Sequence, residues 1–200
     1  MRIRHYFTVM SPFTYLAGDR LERIAAARGA EIDHRPVDFA AIFAEVGGLP
    51  VHKRHRFRQE YRLQELERLS LATELPLTLH PAHWPGDPTP AALAILRAKY
   101  AGADVGPLSR RMMRGVWAEE RDLSDAGVVK EMLEAEGIDP MLAEGDPPGF
   151  EAAAEYAKLT EEALADGVFG APFYVTEDGQ RFWGQDRLAL LDAHLVRAGG

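Results

Sequence analysis

Cysteine is absent from this chain of 200 residues. That single absence excludes disulfides, protein thiolate nucleophiles, iron–sulfur clusters and cysteine-ligated zinc. Any thiol chemistry performed here needs a thiol brought in by a ligand. Long apolar runs are missing as well, and without eighteen consecutive apolar residues no membrane span is predicted. Positive charge is in deficit: 23 Lys+Arg against 31 Asp+Glu leave a net charge of −8. An acidic chain of this kind lacks the electrostatic footprint of a general nucleic-acid binder. No signal-peptide core precedes the first strand-like run, which starts at Met1-Arg2-Ile3. The expectation is a cytoplasmic protein.

What is present is ordinary for a folded domain, 46% hydrophobic and 27% charged. The length suits one large domain or a small domain carrying an insertion, and such a chain hides roughly 70% of its unfolded surface. Residues 2–10 hold Ile3, Tyr6, Phe7, Val9 and Met10, a β-rich run too short for a typical helix. Ser11-Pro12 then opens a helical spacing of Tyr15, Leu16, Leu21 and Ile24 that ends at Gly29. Residues 31–37 read as a second strand, so the opening is strand, helix, strand, with a right-handed crossover between parallel strands.

From 38 to 167 only helical periodicities occur, at 38–46, 51–73, 90–101, 107–118, 124–136 and 149–166. Thr89-Pro90 repeats the cap-then-proline start. The β pattern returns after Gly167, where Pro172-Phe173-Tyr174-Val175 and Gln180-Arg181-Phe182-Trp183 flank an Asp178-Gly179 turn, a strong hairpin signal. Asp186 then reads as the cap of a final helix with Leu188, Leu190, Leu191 and Leu195 as its apolar positions. The expected fold is α/β. Residues 1–37 plus 168–200 form a sheet domain, and 38–167 form an inserted helical domain.

Several segments carry groups suited to chemistry. Ser11 stands where a strand meets a helix N-terminus; its hydroxyl can cap its own helix or hydrogen-bond an incoming anion. Gly170-Ala171-Pro172-Phe173 opens a strand with an X-Pro bond, a place where a cis peptide can occur, although trans is the commoner state. Ala171 could pair there with an extended peptide. In Trp183-Gly184-Gln185-Asp186 the carboxylate can cap the last helix or accept an ammonium group. The stretch 52–58 is cationic, and Arg54, Arg58 and Arg62 share one helix face. It is either a solvated face or a local attraction for carboxylates. The His-x-x-His pairs 52/55 and 80/83 lack a clearly spaced third ligand, so no metal is expected. The proline-rich loop 80–88, with Trp84 and Asp87, is a connector or the wall of an aromatic site.

Ser11-Pro12-Phe13-Thr14-Tyr15-Leu16, Gly167-Val168-Phe169-Gly170-Ala171-Pro172-Phe173 and Phe182-Trp183-Gly184-Gln185-Asp186-Arg187-Leu188 together resemble the 2-hydroxychromene-2-carboxylate isomerases. These are related to kappa-class glutathione transferases and to thioredoxin-fold disulfide oxidoreductases. The resemblance runs over nearly the whole chain and implies a thioredoxin-like fold with a helical insertion. It further implies glutathione as cofactor, a small aromatic carboxylate as substrate, and a homodimer. The reaction would interconvert 2-hydroxychromene-2-carboxylate and trans-o-hydroxybenzylidenepyruvate in the breakdown of bicyclic aromatics.

By the same resemblance Ser11 faces the glutathione sulfur as the catalytic residue. Ala171 and Pro172 meet the glutathione backbone, and Trp183, Gly184, Gln185 and Asp186 hold its γ-glutamyl end. Lys53, Arg54, Trp84 and Asp87 fall in the substrate region. Two departures stand out: Ser-Pro-Phe replaces the frequent Ser-Pro-Tyr, and Asp87 stands where asparagine is common. The rival readings are a glutathione-consuming transferase or peroxidase and a non-catalytic peptide-binding module.

Overall fold

The computed structural model describes residues 1–199. Four strands form one sheet in the order β2 (Glu31–Pro36), β1 (Arg2–Phe7), β3 (Phe173–Thr176), β4 (Arg181–Trp183). β1 and β2 run parallel with Tyr6 opposite Arg35, while β3 is antiparallel to both β1 and β4. The two ends of the chain therefore meet at the centre of the sheet.

Alternation along the strands sorts side chains to two faces. Ile3 and Tyr174 join Leu21 and Ala25 of α2 (Arg20–Arg28) and Leu188, Leu191 and Leu195 of α9 (Leu188–Ala198) in one cluster. Tyr6, Phe173 and Val175 face the other way. They meet Ile42 of α3 (Phe39–Val46), Leu96 of α5 (Thr89–Tyr100) and Tyr156 and Leu159 of α8 (Ala152–Ala165). A third cluster lies beyond the sheet and joins Phe7, Val9 and Leu16 to Leu66 of α4 (Arg56–Thr73). It extends through Leu108, Met112 and Trp117 of α6 (Val105–Ala118) to Val129 and Leu133 of α7 (Ala126–Ala135). Apolar residues from 38–167 thus share their cores with residues of the sheet.

Three of the expected helices differ. The helix expected from Pro12 to Gly29 is broken into α1 (Pro12–Tyr15) and α2, because Gly18 at φ +61° turns the chain out of helical geometry. The one expected over 51–73 is a 3₁₀ turn, Val51–Lys53, followed by α4. It is interrupted where Arg54 and His55 adopt extended backbone and the His55 ring accepts the Phe57 N–H at 3.3 Å. Asp186 does not cap the final helix. It sits inside a 3₁₀ turn, Gln185–Arg187, with its carboxylate 2.6 Å from Arg187, and α9 starts without a side-chain cap. Elsewhere aspartates do cap their helices: Asp104, Asp125 and Asp38 cap α6, α7 and α3.

Candidate active site

β1 ends at Phe7, and the turn that follows brings Ser11 to the N-cap of α1. Its Oγ accepts the Thr14 N–H at 3.2 Å and donates to the Ala171 carbonyl at 3.3 Å. Ser11 is buried, and the contact spans 160 positions of sequence. Ala171-Pro172 is a cis peptide, as is Trp84-Pro85, which the sequence reading did not single out. The Ala171 N–H has no partner among the described residues.

The second wall follows from Pro172. Its carbonyl accepts the Gly184 N–H at 2.9 Å, which draws the 183–187 segment alongside. Gly184 has φ +101° and ψ 153°, a region essentially confined to glycine. Gln185 is buried and accepts from the Arg20 guanidinium, which also donates to the Leu16 and Ala17 carbonyls, each at 3.0 Å. Burial pulls the Arg20 guanidinium below its ordinary value. Trp183 is half exposed, edge-on to Phe169 at 4.9 Å between ring centres. Gly170 leaves room for that indole; a Cβ there would overlap Trp183 Nε1.

The third wall comes from the loop after α4. Trp84 Nε1 donates to the Met10 carbonyl at 3.1 Å and its ring leans on Trp117 at 5.6 Å. Trp117 is fully buried and donates to the Val9 carbonyl at 3.2 Å, so two indoles pin the backbone immediately before Ser11. Asp87 is exposed, and its carboxylate is turned back to accept the Thr89 N–H at 2.9 Å. The cap-then-proline pattern placed the cap at Thr89, but Thr89 is the first residue of α5, and its N-cap position, Pro88, supplies no side-chain cap.

The expected cofactor residues Ser11, Ala171, Pro172, Gly184 and Gln185 are joined by direct contacts or by adjacency, and Trp183 borders them. Asp186 is adjacent but exposed and paired with its neighbour Arg187. Among the expected substrate residues only Trp84 touches the Ser11 loop. Lys53 is exposed, and Arg54 donates to the Leu49 carbonyl at 2.7 Å. The sequence carried no sign of Arg20, whose role depends on a partner 165 positions away, and marked Arg62 only as one of a face of three. No group of three or more potential metal ligands occurs among the described residues.

The chain and its fold have clear relatives. A family model described as DSBA-like thioredoxin domain matches residues 2–196. A 2-hydroxychromene-2-carboxylate isomerase of Sphingobium xenophagum is 32% identical over 97% of this chain and 97% of its own. A solved structure of a 2-hydroxychromene-2-carboxylate isomerase superposes with a TM-score of 0.78 at 25% identity, covering 99% of this chain and 96% of that one. Cytosolic disulfide reductase DsbM from Pseudomonas aeruginosa, solved with GSH, shares the fold at a TM-score of 0.66 and 18% identity, covering 98% of this chain and 99% of that one. The chain belongs to the DSBA-like thioredoxin family, with the 2-hydroxychromene-2-carboxylate isomerases among its relatives.

Proposed function

We propose that this protein is a glutathione-dependent isomerase that interconverts 2-hydroxychromene-2-carboxylate and trans-o-hydroxybenzylidenepyruvate. The observation that carries the reading is the buried Ser11 hydroxyl, held against Ala171 in a chain with no cysteine of its own. A near-full-length relative bearing that enzyme's name supports the substrate class.

The residues fit a thiol-bearing peptide. Ala171 offers an unpaired N–H for strand-like pairing, and the turn at Gly184–Arg187 lies next to it. When bound, glutathione supplies a thiolate able to add reversibly to a conjugated carbon, so that a double bond becomes a rotatable single bond. Ser11 holds the negative charge by turning its O–H from the Ala171 carbonyl, a long contact easily exchanged, toward the sulfur. The hydroxyl is a donor to the charged form and lowers the thiol's ordinary pKa of about 8.5. α1 has only four residues, so its dipole contributes less than a long helix would, and the Ser11 hydrogen bond carries more of the stabilisation. Trp84 and the Met10 carbonyl it binds hold the loop rigid, which keeps the Ser11 donor aimed.

The test is an ultraviolet titration of thiolate absorbance against pH with glutathione, alongside the isomerase assay. Wild type is expected to show a saturable thiolate signal near neutral pH. Ser11→Ala is expected to raise the bound thiol's pKa by about one to two units, the equivalent of a charged hydrogen bond. Absence of glutathione binding overturns the cofactor; stoichiometric loss of glutathione points instead to a transferase.

A further inference from the structure

Arg62 is a buried arginine, 8% exposed, with no ion pair or hydrogen bond among the described residues. Arginines on neighbouring helices differ. Arg97 meets Asp146 at 2.5 Å, Arg114 meets Glu119 at 2.6 Å, and Arg110 and Arg111 pair with Glu22 and Glu136. An unpaired guanidinium taken out of water is costly, and native structures normally supply a partner. What Arg62 has instead is an aromatic face, the Trp84 ring, with the guanidinium carbon 4.9 Å from its centre. Cation–π contact offsets only part of the lost hydration. None of the Arg62 nitrogens is among the fully sealed polar atoms without a partner, so the guanidinium keeps some contact with solvent.

Its place in the fold ties it to the candidate active site. Trp84, the platform, is bonded to the carbonyl of Met10, and the next residue is Ser11. Asp87, the carboxylate of that loop, accepts the Thr89 N–H and makes no ion pair with Arg62. The other charged group acting on it is Arg54, whose like charge adds to burial in pulling the guanidinium down to about 10. Apolar side chains of Met10, Phe13, Leu77 and Leu79 pack around the same cluster as Trp84. An aromatic face, apolar neighbours and one unsatisfied planar cation with a fixed fork match a flat aromatic acid.

We propose that Arg62, seated on Trp84 beside the Met10–Ser11 loop, binds the carboxylate of the aromatic substrate. The assignment rests on the isomerase reading for the identity of that substrate, and it replaces Lys53 and Arg54 as the principal carboxylate partner. Lys53 is exposed, and Arg54 is bonded to Leu49.

Two measurements separate this proposal from the reading beneath it. Calorimetry with trans-cinnamate and with the neutral cinnamamide probes the site without turnover. Wild type is expected to bind cinnamate at least tenfold more tightly than cinnamamide, with the preference shrinking as salt is raised. Arg62→Gln is expected to bring the two within twofold, Arg62→Lys to lose at least threefold of the preference, and Arg68→Gln, at an exposed α4 arginine paired with Glu65, to leave it intact. In the isomerase assay Arg62→Gln is expected to raise KM tenfold or more while the glutathione Kd stays within twofold. A purely structural Arg62 would not alter the acid-over-amide ratio. Equal binding of the two probes by wild type, no binding of either, or an unchanged preference in Arg62→Gln overturns the proposal. Should Arg62→Gln fail to fold, an unchanged preference in Arg62→Lys does so. Loss of isomerase activity in wild type with the cinnamate preference intact would sink the isomerase reading and leave the carboxylate site standing.

Discussion

Gly184 shows how a single backbone position controls the proposed glutathione wall. Its N–H anchors on the Pro172 carbonyl at 2.9 Å while its φ of +101° lies outside what a side-chain-bearing residue adopts comfortably. An added Cβ would also stand 2.5 Å from Asp186 Oδ1, although that carboxylate is exposed and can swing away. The strain is the larger effect, because the backbone is held at both ends and the side chain is not. Gly184→Ala is therefore expected to cost about 1–3 kcal/mol. For a chain of this size each kcal/mol lowers the melting temperature by roughly 2–4 °C. A thermal melt checks it; a melting temperature unchanged within 1 °C, on the order of the error of a scan, would show that the turn relaxes around alanine. Glutathione affinity should fall as well, since the 183–187 segment loses its register with Pro172.

Between elements, Arg20 is the tie that joins α1 to the turn before α9. One guanidinium closes the Leu16 and Ala17 carbonyls at the end of the broken helix and reaches Gln185. Arg20→Met keeps much of the length and removes these bonds, leaving Gln185 buried without its donor. The expected loss is about 2–3 kcal/mol, by analogy with other hydrogen bonds to a charged group. Amide exchange should quicken first at 184–187, whereas uniform quickening across the sheet would contradict the local role. This tie also marks how far the sequence could be read. The β–α–β opening, the Asp-Gly hairpin and the glycine end at Gly29 were legible because each is written in neighbouring residues, whereas the Ser11, Ala171 and Trp183–Asp186 segments stood out only through the resemblance, the local pattern alone leaving them as caps and a turn. Arg20 was not legible, and Arg62 was legible only as one of three arginines on a cationic face, since nothing local distinguishes either from other arginines. What singles them out is a partner at position 185 and an indole from the 80–88 loop. The break at Gly18 and the misplaced cap at Asp186 have the opposite cause. The local signal was present, and the packing of α2 and α9 on the sheet chose differently.

Across the whole molecule, the sheet interior holds a titratable pair that neither the proposed chemistry nor the substrate site uses. His5 and His34, on adjacent strands in register, face each other with Nδ1 atoms 3.2 Å apart. His5 is stacked between Phe7 at 4.8 Å and Tyr174 at 5.2 Å, and its Nε2 is sealed without a partner. Burial, then the neighbouring His34, pushes His5 well below 6.5. His34 is pushed down to about 4 by burial and then by Lys99, with Arg110 acting in the same direction and Asp104 and Asp33 opposing. Both histidines are therefore neutral in the folded protein at neutral pH. Between pH 6.5 and about 4 the unfolded chain binds more protons than the native one, so stability is complete above 6.5 and is lost as pH falls through that window. Each histidine contributes at most about 1.4 kcal/mol per pH unit. Asp33 has its own carboxyl held below the ordinary range by Lys99 and Arg35 against the cost of burial, and it extends the loss at still lower pH. Urea unfolding at pH 7 and pH 5 is expected to show a clearly lower midpoint at pH 5. His5→Phe presents a ring of similar size to the same two aromatics and cannot take up a proton. It gives up the buried Nδ1–Nδ1 hydrogen bond with His34, about 0.5–1.5 kcal/mol, so the pH 7 midpoint should fall modestly while a large part of the pH 5 deficit is removed. Equal wild-type midpoints at the two pH values would mean that water reaches the pair, and that the sheet between β1 and β2 opens more readily than its packing implies.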